Sequence, residues 1–271
     1  VGKLLADADR GFDPQKPAAS LPALLRAHAA LAKLPADPLV DVKRRELLSV
    51  IRSCSGLWLE AIATRPTAVP GGNVTVRALA LNRSDVAFTL RSVELPFGAQ
   101  VKLVKDPKED AAARPVLANQ PLASNVSTVG EANVTLPAGQ PLSQPYWLVT
   151  PGTRGAFAVA DPTLIGTPEN APVLSARFTL EALGEPLVFD VPVAYRWTDP
   201  VQGERYRPLE VQPPVTVRFD QTTYLFSDLK PRELRVLVQS GDAPADGEVR
   251  LALPAGWSVK PASAPFKLAA S

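Results

Sequence analysis

The stretch LVFDVPVAYRW, residues 187–197, shows the clearest pattern in the chain. Apolar side chains take every second position, and Asp190 and Arg196 fall on the opposite face. The apolar positions are Leu187, Phe189, Val191, Val193, Tyr195 and Trp197. Because the side chains of a β-strand alternate between its two faces, this period of two predicts a strand with one buried face. The core of the protein is therefore expected to be built on a β-sheet.

The same alternation recurs before and after this stretch. Before it, the runs lie at residues 74–81, 86–95, 100–104, 146–149 and 174–181. After it, and beyond a proline-rich segment at residues 208–214, they lie at residues 215–219, 234–238 and 249–253. We predict a β-sandwich domain over residues 62–210 and a second Ig-like sandwich over residues 211–271. Since an Ig-like sandwich takes about seven strands, the second domain is expected to be incomplete.

Residues 1–61 carry a helical pattern instead. Apolar positions spaced by three and four predict one helix over about residues 20–34 and a second over about residues 39–61. Pro35 and Pro38 separate the two, which should form an antiparallel hairpin. Residues 1–15 have no sustained period and are expected to be an irregular lead-in. The predicted fold class is mainly β, with an N-terminal helical hairpin followed by tandem Ig-like β-sandwich domains, the last one incomplete.

Composition and charge exclude several classes of function. The chain has 271 residues, 46% of them hydrophobic, and a formal net charge of only +2. A charge this close to zero argues against nucleic acid as a partner. The apolar runs are far shorter than the about 20 residues that a membrane-spanning helix needs, so no membrane insertion is expected.

The rare residue types restrict the chemistry further. With one His (His28) and one Cys (Cys54), the chain cannot supply a cage of His and Cys ligands for zinc or form an internal disulfide. We therefore predict no catalytic residues, no metal site and no cofactor. The sequence contains no Met, even at position 1, which indicates a piece of a longer chain.

Several stretches carry a family resemblance. They are RSCSGLWLEA at residues 52–61, RPTAVPG at 65–71, NRS at 82–84, LIGTPENAP at 164–172, and the segment 195–215, which contains RW, DP, GE and YRPL. These stretches resemble the region downstream of the catalytic domain in large bacterial PIG-L/LmbE-type de-N-acetylases. Residues 253–259, LPAGWSV, resemble the Pro-x-Gly-Trp turn of Ig-like domains found beside glycosidase catalytic domains.

The resemblance implies a role beside an enzyme. Members of that family remove N-acetyl groups from amino sugars with a zinc ion held by a His-Pro-Asp-Asp motif and a later His, and this chain has no such motif. The resemblance therefore implies a non-catalytic accessory region of a large exported bacterial enzyme. The predicted architecture, tandem sandwiches with a lone Cys, is compatible with a periplasmic or extracellular location. Its partner would be the upstream catalytic domain of the same polypeptide, which it would position, and a glycan that it would bind.

Aromatic side chains are the candidate ligand contacts, because their rings can stack on sugars. The four candidates are Trp147, Trp197, Tyr206 and Trp257. Two acids near two of these rings, Asp199 and Glu204, form the best local cluster, together with the neighbouring arginines at positions 205 and 207. The alternatives are an independent carbohydrate-binding module, a structural spacer of a surface protein and, if two acids face one cleft, a hydrolase that uses carboxylates alone. Full burial of all four rings would remove the basis for sugar stacking.

Overall fold

The structure is a computed structural model that describes residues 1–105, 110–241 and 244–269. Strands hold 38% of the residues and helices 18%, and the three α-helices lie at the N-terminus. The predicted fold class, mainly β with N-terminal helices, is therefore confirmed. The chain divides into two compact units. The first comprises Val1–Pro66, Val74–Val134 and Pro172–Leu209, and the second comprises Thr67–Asn73, Thr135–Ala171 and Glu210–Ser271.

Three α-helices open the first unit: α1 (Gly2–Arg10), α2 (Leu21–Ala32) and α3 (Pro38–Cys54). The irregular lead-in predicted for residues 1–15 is wrong, because most of it forms α1, which packs on α2. Helix α3 begins where the Asp37 carboxylate accepts a hydrogen bond from the Leu39 amide at 2.8 Å, a standard N-terminal cap. None of the helices in the described residues is long and apolar enough to cross a membrane.

Helix α3 also differs from its prediction, since it ends at Cys54 and not at residue 61. Gly56 follows with a φ of 60°, a left-handed conformation that glycine adopts without strain. Strand β1 then begins at Trp58. Residues 58–61, predicted as helix, are therefore strand.

Nine strands of one sheet form the main part of the first unit. They are β1 (Trp58–Ala63), β3 (Asn73–Leu81), β4 (Phe88–Glu94), β5 (Lys102–Leu103), β6 (Ala118–Leu122), β7 (Ser127–Thr135), β8 (Ser175–Ala182), β9 (Glu185–Asp199) and β10 (Gly203–Pro208). Their order is β5-β7-β3-β1-β9-β8-β4-β6, with β10 also pairing with β9. The sheet is curled and sandwich-like.

Strand β9, which contains the stretch 187–197, connects the two halves of this sheet. Its first part pairs antiparallel with β8, and its last part pairs parallel with β1 and antiparallel with β10. The alternating side chains from Leu187 to Val193 are buried, as the pattern predicts. Tyr195 and Trp197 continue the alternation but are only partly buried. The core along this strand therefore ends at Val193.

The second unit contains short, two-stranded sheets in its described part. The strands are β2 (Thr67–Ala68), β11 (Glu210–Val211), β12 (Val215–Phe219), β13 (Val236–Ser240), β14 (Ala245–Arg250) and β15 (Ser263–Leu268). The pairs are β2–β11, β12–β13 and β14–β15.

The second unit is discontinuous in sequence, which differs from the linear division at residues 62–210 and 211–271. Pairing explains the difference. Strand β2 pairs with β11 in parallel, and the Ser143 amide donates to the Val211 carbonyl at 2.8 Å. These contacts draw early segments of the chain toward its last part.

Candidate functional site

A shallow groove of about 200 Å³ lies in the first unit, where β1, β9 and β10 adjoin. We call it the Glu60 groove. The side chains that line it include Arg52, Trp58, Glu60, Ile62, Pro192 and Tyr206. Glu60 is buried at its floor, whereas Trp58 and Tyr206 are 43% and 45% exposed. The groove thus combines a buried carboxylate with two accessible aromatic rings.

Strand register explains why these residues meet. Ile62 of β1 pairs with Ala194 of β9, and Arg196 of β9 pairs with Tyr206 of β10. Side chains two positions apart on a strand share a face, so Glu60, Arg196 and Tyr206 all point to the same side of the sheet. Residues far apart in sequence are thereby placed side by side.

The Tyr206 hydroxyl lies between two carboxylates, 2.9 Å from Glu60 Oε1 and 2.6 Å from Glu204 Oε1. A phenol has a single hydrogen, so it donates to one carboxylate at a time. Arg196 Nη1 lies 3.2 Å from Glu60 Oε2 and 3.5 Å from Glu204 Oε2. One phenol and one guanidinium therefore hold both acids in place.

Tyr206 remains a neutral phenol at physiological pH. Partial burial, followed by the hydrogen bond to Glu204, raises the pKa of Tyr206 to about 12. A tyrosine that acts as a nucleophile needs the opposite shift, toward the phenolate. The arrangement therefore makes Tyr206 a hydrogen-bonding group for the two carboxylates and not a nucleophile.

Arg52 joins the end of α3 to the start of β1. Its Nη2 donates to the Leu59 carbonyl at 2.9 Å, and its Nε donates to the Leu57 carbonyl at 3.4 Å. Burial lowers the pKa of Arg52, but a guanidinium stays charged at neutral pH. Because these two carbonyls flank Trp58, Arg52 fixes the backbone that carries the ring.

Arg83 contacts the Trp58 ring itself. The guanidinium carbon of Arg83 lies 5.6 Å from the ring centroid, within the range of a cation–π contact. The approach is close because residue 56 is glycine: a Cβ there would lie 3.0 Å from the Arg83 Cβ. The ring is therefore positioned before any ligand binds.

Two of the predicted site residues lie in the first unit but on opposite faces. Tyr206 lines the Glu60 groove. Trp197 is one residue from Arg196 along β9, so it points to the other face, where it stacks on Tyr195 at 6.0 Å. The structure therefore does not bring Trp197 and Tyr206 together.

The local cluster predicted around Asp199 is only half present. Glu204 contacts Tyr206, but Asp199 accepts hydrogen bonds from the amides of Val201 and Gln202, both at 2.8 Å. These bonds lower the pKa of Asp199 and stabilise the turn between β9 and β10. Glu60 takes the place in the cluster that the sequence analysis gave to Asp199.

The other two predicted aromatics, Trp147 and Trp257, belong to the second unit. Residues 146–149, predicted as a strand, contain a short 3-10 helix (Tyr146–Leu148), in which the Tyr146 amide donates to Asn170 Oδ1 at 3.0 Å. The partly exposed Trp147 packs edge-on against Tyr146, and the exposed Trp257 packs edge-on against Phe226. None of the four predicted rings is fully buried.

Sequence reasoning missed Trp58 and Glu60 because the predicted helix continued through both. Two signals could have found them. Gly56 is a typical residue for the end of a helix, and the residues after it place Leu57, Leu59 and Ala61 at every second position, as in a strand.

The residues present do not fit the zinc site of the family that the sequence resembles. Within the described ranges, no three His, Cys, Asp or Glu side chains come together in a group that could hold a metal ion. The one histidine, His28, is buried in α2 and does not line the groove. No step is therefore assigned to zinc in this chain.

No protein-family model matches the chain, and no curated protein matches it. Among solved structures it is similar to the sporulation control protein Spo0M of Bacillus subtilis, with a TM-score of 0.26 and 11% identity over 51% of this chain and 49% of that one. It is also similar to the alkylpurine DNA glycosylase AlkC of Pseudomonas fluorescens, bound to DNA with an abasic site analog. There the TM-score is 0.21, with 6% identity over 64% of this chain and 46% of that one. The chain spans less than half the length of either structure, and likenesses this weak carry no argument about function.

Proposed function

We propose that this chain is a non-catalytic accessory region of a PIG-L/LmbE-type deacetylase and that it binds glycan in the Glu60 groove. The observation that carries the proposal is the pair of half-exposed rings, Trp58 and Tyr206, beside the buried carboxylate of Glu60. Aromatic faces supply stacking area for a sugar ring, and a few fixed polar groups orient it.

Two of the stretches that carry the family resemblance support the proposal because they meet at this groove. Residues 52–61 contribute Arg52, Trp58 and Glu60. The segment 195–215 contributes Tyr206, together with Arg196 and Glu204, which contact Glu60 and Tyr206 at the rim. Stretches that are separate in sequence thus build one surface, as expected if they serve one function.

The two carboxylates of the groove favour binding over hydrolysis. A glycosidase pair leaves room between its acids for the sugar and, in inverting enzymes, for a water molecule. Here the Tyr206 hydroxyl occupies that place, in contact with both Glu60 and Glu204. This arrangement suits acids that orient a bound sugar.

In the proposed role the chain is exported with its parent enzyme and positions the upstream catalytic domain against a glycan. An independent carbohydrate-binding module would use the same groove, and a structural spacer would not need it. Binding measurements on this chain separate the spacer from the other two.

The test is a glycan array followed by calorimetry on the wild type and on Trp58→Ala and Tyr206→Ala. Trp257→Ala is the matched control, since it removes an equally accessible ring outside the groove. We expect saturable binding that falls at least about tenfold in both groove variants and is unchanged in the control. Absence of binding to every glycan would support the structural spacer. Loss of binding in Trp257→Ala alone would place the binding site at Trp257 and not in the Glu60 groove. A deacetylase assay with added zinc should show no turnover, and activity that survives purification would overturn the accessory role.

A further inference from the structure

The charges around the Glu60 groove cancel. Of the side chains that line it, Glu60 carries one negative charge and Arg52 one positive charge, and the Glu204–Arg196 pair at its rim adds one of each. Tyr206 adds none because it remains a phenol. These side chains therefore give the groove no net charge, and nothing in this balance favours an ionic ligand.

Within the described residues, the charged side chains at this groove already have hydrogen-bonding partners, so a charged ligand would have to compete with those partners. Both carboxylates already contact Arg196, and the guanidinium of Arg52 donates to the main-chain carbonyls of Leu57 and Leu59. An ion that loses water without gaining a partner pays a large desolvation cost. A neutral ligand avoids that cost.

The rim of the groove suits a pair of hydroxyls. Arg196 and Glu204 lie side by side, 3.5 Å apart, with side chains 40% and 53% exposed. A guanidinium only donates hydrogen bonds and a carboxylate only accepts them. Two adjacent sugar hydroxyls can serve both, because one accepts from Arg196 while its neighbour donates to Glu204.

We infer that the groove selects neutral sugar residues, with the ring on Trp58 and two adjacent hydroxyls on Arg196 and Glu204, over uronic acids and free amino sugars. The inference rests on the proposed glycan-binding function and names the class of sugar for that site. Arg83 is a further positive charge against the Trp58 ring. Its guanidinium is already in contact with the Trp58 ring, and it is not among the residues that line the groove.

The test compares three oligosaccharides of matched length by calorimetry: a neutral oligomer of glucose or N-acetylglucosamine, an oligogalacturonate and an oligomer of glucosamine. We expect the neutral ligand to bind at least about tenfold more tightly than either charged one. Its affinity should change less than about twofold between about 20 mM and about 300 mM NaCl, because no net charge is neutralised. A preference for either charged oligomer, or a steep salt dependence, would overturn the inference.

A charge variant sharpens the test. Glu204→Gln keeps the size of an exposed side chain and gives the groove a net positive charge. We expect weaker binding of the neutral oligomer and a relative gain of the oligogalacturonate, whereas Glu248→Gln, an exposed acid outside the groove, should change neither. Unchanged selectivity in Glu204→Gln would contradict the charge argument. If charged glycans bind tightly and this binding still depends on Trp58, the inference of a neutral ligand is refuted and the proposed glycan-binding function stands. If no glycan binds, the inference and the proposed function are both refuted.

Discussion

The hydroxyl of Tyr206 is the single atom on which the geometry of the groove depends most. It lies within hydrogen-bond distance of both Glu60 and Glu204, two groups of like charge that would otherwise rely on Arg196 alone. Removing it would leave the buried Glu60 with fewer partners, and an under-satisfied buried carboxylate is costly.

We therefore expect Tyr206→Phe to lower the free energy of unfolding by about 1–2 kcal/mol while it keeps the ring. Urea unfolding followed by circular dichroism measures the change. Tyr195→Phe is the matched control, because it removes a phenol hydroxyl from the facing strand and leaves the stack on Trp197 in place. It should cost less than about 0.5 kcal/mol. Equal losses in the two variants would mean that Tyr206 does not hold the carboxylates.

His28 gives the protein a pH dependence of stability. The side chain is buried in α2, and its Nδ1 has no hydrogen-bond partner among the described residues. Burial, with a smaller effect of Arg44, lowers the pKa of His28 below 6.5, although Glu185 opposes the shift. Below pH 6.5 the unfolded chain therefore takes up a proton before the folded protein does, and protonation favours unfolding.

We expect the free energy of unfolding to be highest above pH 6.5. It should fall as the pH decreases from 6.5 to the pKa of His28 in the folded protein. Urea unfolding at several pH values between about 5 and about 8 measures this pH dependence. His28→Leu removes the only histidine and should abolish this slope. A slope of the same size in the variant would assign the effect to other groups.

At the scale of elements, the link from α3 to β1 decides where Trp58 lies. Gly56 and Gly98 both have a left-handed backbone, with φ of 60° and 71°. A Cβ on Gly56 would lie 3.0 Å from the Arg83 Cβ, whereas a Cβ on Gly98 would meet nothing within 4 Å. The two glycines thus differ in contact and not in conformation.

Gly98→Ala should cost about 1 kcal/mol from backbone strain alone. Gly56→Ala should cost more, because it also pushes Arg83 away from Trp58, and its near-ultraviolet circular dichroism should change. Urea unfolding of both variants gives the difference between their free energies of unfolding. Equal costs with unaltered spectra would show that Arg83 moves aside freely.

The elements also show what the sequence could predict. The alternation along β9 identifies a strand with one buried face, and Pro35 and Pro38 separate the two predicted helices, because these signals are local. The site was harder to predict. Tyr206 was a candidate as an aromatic residue, but Glu60 reaches it only through parallel pairing of β1 with β9, which no local pattern encodes. Trp58 was hidden because the helical spacing of α3 happens to continue past Gly56.

At the scale of the whole molecule, burial is uneven between the two units. Nearly all fully buried apolar side chains belong to the first unit, including Phe88, Phe178 and Leu180. In the second unit the buried apolar residues are few: Ala68, Val69, Leu136 and Val211. Local stability increases with the number of buried apolar contacts. The amide hydrogens of the two units should therefore differ in their protection from exchange with solvent.

We expect amide hydrogens in β12–β15 to exchange at least about a hundredfold faster than those in β8 and β9. Hydrogen exchange followed by mass spectrometry measures this on the intact chain. Similar protection in both sets of strands would mean that the second unit is stabilised by more than its buried side chains.

The position of β9 between β1 and β10 also has a consequence for biosynthesis. Glu60 and its partner Arg196 are 136 residues apart in the chain, so the ribosome makes the floor of the groove long before its wall. During that interval β1 is without one of its two neighbours in the sheet. Contacts of such long range form late and slow folding. A nascent chain that stops before β9 lacks both Arg196 and Tyr206, and the edge of β1 that β9 would cover is then open to incorrect pairing.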